Sequence, residues 1–133
     1  MKQAIVRQAK GITVSCDPGA NLALAKFASV GAGDACVIIP STVVFWLAEN
    51  LPVNQVPNLQ APPVGPRIDR EDFNLDATPH VLSIDCVLSD PLSRVAFELN
   101  RKPHLTVLLD RSHVEMLRQL MEMCAKDLVK LDI

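Results

Sequence analysis

The chain has 133 residues, 49% of them apolar and 21% charged, with a formal charge of −2. That length suits one domain with one buried core, and the composition excludes a disordered chain. No basic excess points to nucleic acid or an anionic membrane surface, and with four Phe, one Trp and no Tyr neither base-stacking platforms nor aromatic cages are expected.

The first residues, MKQAIVRQAKG, carry charges where a secretory leader would be apolar. No apolar run approaches the roughly 18 residues that cross a bilayer. A cytoplasmic protein away from membranes is expected. Its four cysteines (Cys16, Cys36, Cys86 and Cys124) lack C-x-x-C spacing and read as reduced thiols. "ITVSC" (12–16) then reads as a strand and "DPGAN" (17–21) as a turn. "LALAKFASV" (22–30) is a second strand, "GAGD" (31–34) a second turn and "ACVIIP" (35–40) a third strand. Gly19, Gly31 and Gly33 allow the positive φ of tight hairpins. GAGD lacks the Lys-Ser/Thr of a phosphate loop.

Ser41 and Thr42 look like a helix start, and "VVFWL" (43–47) follows without a polar break. A helix this apolar needs cover on two sides: a sheet on one, and a second helix or subunit on the other. Residues 52–79 hold six of the ten prolines. Proline removes the amide donor, so this tract predicts extended chain rather than helix or central strand, a spacer or an arm reaching a partner. Within it, "REDFNLD" (70–76) offers Phe73 for packing.

"VLSIDCVL" (81–88) places Leu82, Ile84 and Cys86 on one strand face. After the "DP" turn (90–91), "SRVAFELN" (93–100) alternates, with Val95, Phe97 and Leu99 opposite Arg94, Ala96 and Glu98. That is the period of a half-buried strand. "NRKP" (100–103) turns the chain into "HLTVLL" (104–109). Asp110 or Ser112 can cap the helix that follows. Val114, Leu117, Met121, Cys124 and Leu128 form one apolar stripe and Met116, Leu120 and Met123 an adjoining one, while Glu115, Arg118, Gln119, Glu122 and Lys126 take the opposite face.

Sliding the sequence by 70 residues superposes these elements without a gap. Six positions coincide: Cys16/Cys86, Leu22/Leu92, Phe27/Phe97, Val37/Val107, Val44/Val114 and Leu47/Leu117. The matched order of elements predicts an internal repeat. The expected fold is α+β: two duplicated βββα units (11–51 and 80–128) joined by the Pro-rich segment 52–79 in a single domain. They form an antiparallel sheet with both helices on one face, related by an approximate two-fold axis.

His80, His104 and His113 all lie in the second half, and Cys16 and Cys86 read as small buried hydrophobes, so no cofactor or metal is expected. A hydrolase would need a nucleophile beside a base. Ser112 and His113 in "DRSHVE" (110–115) are helix neighbours that do not face each other, so capping explains the stretch better and no catalytic residue is assigned; a hydrolase using His113 stays as an alternative. The partner-binding candidates are Phe45, Trp46, Met116, Leu120 and Met123 at the helix seam or a dimer interface, with Phe73 in the connecting segment.

"RVAFELNRKPHLTVLLDRSHVEMLRQLMEMC" (94–124) resembles the strand-strand-helix pattern of small phage and prophage proteins and is similar in that order to the biofilm-regulator family of BssS type. The resemblance carries no site residue across. It implies a bacterial or phage accessory protein that binds another macromolecule. The expected function is a non-enzymatic protein-interaction or regulatory module acting as a homodimer. The alternative is a small-ligand sensor with a pocket between the repeats.

Overall fold

The computed structural model describes residues 4–57, 59 and 77–130. Six strands and two helices follow in the order β1 (Ala4–Asp17), β2 (Leu22–Ser29), β3 (Ala35–Pro40), α1 (Ser41–Asn50), β4 (Val81–Val87), β5 (Ser93–Leu99), β6 (His104–Leu109) and α2 (Arg111–Ala125). The class is α+β, and each half runs strand-strand-strand-helix. Phe73 and the remainder of the connecting tract up to residue 76 lie outside the described residues.

The sheet is mixed, which corrects the expected antiparallel one. Its order is β3-β2-β1-β6-β5-β4, and the central pair, β1 and β6, runs parallel through Ala4–Gln8 against His104–Leu108. The reason lies in residues 4–10. They form the first half of a 14-residue strand that the expected unit, starting at 11, left out. Their side chains are mostly exposed, so no apolar alternation marks them, and backbone pairing to β6 holds them in place. A register shift between Ala9 and Gly11 keeps Ala9 on the buried side with Ile12, Val14 and Cys16.

The outer strands of this sheet approach each other. Ile38 of β3 forms a parallel bridge with His80, and its N–H donates to the Pro79 carbonyl at 2.8 Å, just before β4 begins. The Phe27 and Phe97 rings, on β2 and β5, stand 5.8 Å apart. Those strands are three positions apart in the sheet, roughly 14 Å if it were flat. The sheet is therefore strongly curled, and the two rings meet inside the curl.

All four strands β1, β3, β4 and β6 point the same way, so both helices leave the same end of the sheet. The helices pack on each other and join the strands' buried faces in one core. Val44, Leu47, Leu117, Leu120 and Met121 are fully enclosed there. At about 25 cal/mol per Å² of apolar surface, such burial is the main stabilising contribution.

Two details differ from the alternation read in the sequence. A register shift between Val81 and Ser83 turns Val81, not Leu82, inward beside Ile84 and Cys86, and Leu82 is exposed. In the β1–β2 turn, positive φ falls on Asn21 (54°) rather than Gly19, while Gly31 (φ 70°) serves the β2–β3 turn as expected.

Candidate functional site

The partner-binding candidates among the described residues fall into three environments. Trp46 is the exposed one, at 42% of its surface, on the outer side of α1. The α1 positions facing inward are Val43, Val44 and Leu47, so the helix is less uniformly covered than its apolar sequence suggests. Phe45, Met116 and Met123 are half-buried against the core, and the Lys130 ammonium sits 5.8 Å from the centre of the Phe45 ring. Leu120 is wholly enclosed, so its apolar surface is already covered by this chain.

Ser112 and His113 are brought together by Asp110, the cap of α2. One carboxylate oxygen, Oδ1, accepts the His113 backbone N–H at 2.8 Å and the Ser112 hydroxyl at 2.8 Å, and it lies 2.9 Å from His113 Nδ1. Burial opposes ionisation of Asp110, but these hydrogen bonds and the imidazole outweigh it and hold the carboxyl below its ordinary range. The serine proton points at the carboxylate and not at the imidazole. The order Ser–Asp–His caps a helix; a nucleophile relay would need Ser–His–Asp.

The polar face of α2 holds the largest departure from the sequence reading. Glu115 and Arg118 are 3% and 8% exposed, not solvated. Arg118 Nη2 donates to Glu115 Oε2, its Nε reaches Oε1 at 3.3 Å, and its Nη1 donates to Glu122 at 2.6 Å. Glu115 also accepts the Asn54 backbone N–H at 2.7 Å and Gln119 Nε2 at 2.7 Å. Burial works against the Glu115 charge, yet Arg118, Asn54 and Gln119 more than offset it, so the carboxyl sits below the usual range. The pair with Glu115 above all lifts Arg118 above its ordinary value, against its own burial. The network fastens the segment after α1 onto α2.

An asparagine does the matching task in the first half. Asn21 Nδ2 donates to Ser41 Oγ at 2.9 Å and to the Val129 carbonyl at 3.1 Å, while its Oδ1 accepts the Val129 N–H at 2.7 Å. One carboxamide joins the β1–β2 turn, the start of α1 and the segment after α2. The sequence reading placed Asn21 only in a turn and Glu115 only on a polar face; the signals for a tether were an Asn ending a turn and a Glu four residues before Gln119.

Between residues 52 and 54, the 88–93 turn and the start of α2 lies an open cavity of about 240 Å³. Its walls include Pro52, Leu88 and Val114, and Arg111 and Asp90 also line it, with Arg111 Nη2 and Asp90 Oδ2 3.5 Å apart. The Ser89 and Ser93 hydroxyls already serve the turn's own backbone.

Among the described residues no group of three or more His, Cys, Asp or Glu could hold a metal ion, and Cys16 and Cys86 lie on β1 and β4, with β6 and β5 between them. Burial raises the Cys16 thiol and pushes Cys86 up to about 11 and Cys124 to about 12, so all three are poor nucleophiles at neutral pH. Among the described residues no helix is long and apolar enough to cross a membrane. No known protein family, no curated protein and no solved structure matches this chain.

Proposed function

We propose that this protein is a non-enzymatic interaction or regulatory module that works as a homodimer, with the outer side of α1 around Trp46 as its contact surface. The observation that carries this reading is the exposure of Trp46 on a helix whose other bulky apolar side chains are at least half-buried. Tryptophan is the side chain most over-represented among residues that dominate binding energy, and Val53, 74% exposed, follows shortly after the same helix. The likeness in element order to BssS-type regulators favours the same class of role.

Light scattering coupled to size exclusion tests it. The expected mass is twice that of the chain, falling to one chain in Trp46→Glu with the melting temperature retained. A wild-type protein that elutes as a monomer at about 100 µM, well above the micromolar Kd of a modest interface, sinks the dimer.

We also infer that the two halves are copies of one βββα unit. Two contacts support this beyond the sequence offset. Val30 N–H donates to the Gln8 carbonyl and Asn100 N–H to the His80 carbonyl, each at 2.9 Å: positions 30 and 100 differ by 70, and positions 8 and 80 by 72. The identical pair Phe27 and Phe97 meets at the centre, as residues beside a two-fold axis would. A specific observation also favours a ligand-sensor reading: the 240 Å³ cavity lies where the start of the connecting segment, Pro52 and Asn54, meets the second half. A thermal-shift screen that raises the melting temperature with a metabolite but not with a protein partner would select it.

A further inference from the structure

The two halves have the same joint, and it is filled in only one of them. In the first half the space between the β1–β2 turn, the first residue of α1 and the segment after α2 is occupied by the Asn21 carboxamide. Its donor and its acceptor are both engaged, with Ser41 and with both backbone groups of Val129. In the second half the corresponding space lies between the β4–β5 turn, the first residue of α2 and the segment after α1. There the residue at the Asn21 position is Pro91, which has neither a side-chain donor nor an acceptor, and the space is the open cavity. At the Ser41 position stands Arg111.

We propose that this cavity is a binding site for a primary carboxamide, supplied by a ligand where the first half supplies its own. The cavity rim fits that chemistry independently of the comparison. A carboxamide offers one strong acceptor and two donors side by side. Arg111 and Asp90, 3.5 Å apart, offer a donor and an acceptor side by side in return: the amide oxygen accepts from the guanidinium and the amide nitrogen donates to the carboxylate. Pro52, Leu88 and Val114 cover the carbon skeleton. A carboxylate ligand would gain Arg111 but meet Asp90 with like charge, and an ammonium ligand the reverse, so the paired rim selects the neutral group. Both rim side chains are largely exposed, which leaves them free to re-pair with a ligand at little cost to the fold. This proposal rests on the ligand-sensor reading and names the ligand class.

The test is a titration followed by proton–nitrogen NMR, with propionamide and L-glutamine as probes and propionate as the charged control. The expected result is saturable shifts from both amides at the Asn54, Leu88 and Val114 backbone amides and the Arg111 side chain, with propionate at least tenfold weaker. Arg111→Ala and Asp90→Ala should each weaken the amides about tenfold, the worth of one charge-assisted hydrogen bond, with no loss of melting temperature. A blocked Gly-Gln-Gly peptide separates the sources: tighter binding than propionamide assigns the site to a partner's side chain, weaker binding to a free small amide. Equal binding of propionate would overturn the carboxamide assignment while leaving a ligand cavity. No saturable shift at these residues with any probe would overturn both.

Discussion

The joint around Asn21 and the joint around Glu115 fasten the chain with opposite chemistry. Asn21 is a neutral amide on a turn, partly open to water, and it reaches backbone groups. Glu115 is an anion enclosed on a helix, matched by a guanidinium that is itself enclosed. Each ties the chain leaving one helix to the other half. The comparison teaches that a tether need only present a donor and acceptor at the right spot, but its failure modes depend on charge. Losing a neutral amide forfeits hydrogen bonds. Losing one member of an enclosed ion pair strands the other charge in a low-dielectric setting.

The largest effect should therefore come from Glu115→Ala, which leaves Arg118 with only Glu122; a loss of about 3 kcal/mol in denaturant unfolding is expected. Replacing both partners, as Glu115→Gln with Arg118→Met, should recover most of it, and a double variant no better than the single one would remove the stranded-charge explanation. The same joint should dominate the acid limb. Because the folded Glu115 carboxyl lies below its ordinary value of about 4.3, its contribution is complete above that value and disappears as pH falls through the lower, folded one. Asp110 acts in the same direction. Stability measured from pH 6 down to 3 should fall more steeply in the wild type than in Glu115→Gln, and parallel curves would contradict the assignment.

Asn21→Ala comes next, at about 2 kcal/mol, since three hydrogen bonds go and alanine must also hold a φ of 54°. Asn21→Gly separates the two: it keeps the backbone comfortable, so any loss remaining by calorimetry belongs to the carboxamide. The smallest change runs the other way. Ser29 is buried, but its hydroxyl has no hydrogen-bond partner. Ser29→Ala should stabilise by about 1 kcal/mol, and a destabilised variant would mean that the hydroxyl has a use.

Much of this architecture was legible in the amino acids. The β5 alternation of Val95, Phe97 and Leu99 and the Asp110 cap with the helix that it opens are local patterns. What escaped was settled by distant partners. Ala4–Gln8 carries no strand pattern of its own and becomes a strand only with His104–Leu108 beside it. Glu115 looks solvated because Asn54, whose backbone N–H it accepts, is some 60 positions away. Leu82 was assigned to the wrong face because a bulge adds a residue without any mark in the composition. The cavity was not legible, because its walls pair Pro52 and Asn54 of the connecting segment with the second half; its rim of Arg111 and Asp90 depends on how the 88–93 turn meets α2.

The parallel pairing at the centre of the sheet has a kinetic consequence. Residues 4–8 leave the ribosome about a hundred residues before their hydrogen-bonding neighbours, 104–108. Until then that stretch has no ladder to join, and closing so large a loop is entropically costly. Folding should accordingly be slow for a chain of this size, with residues 4–8 among the last to find their place.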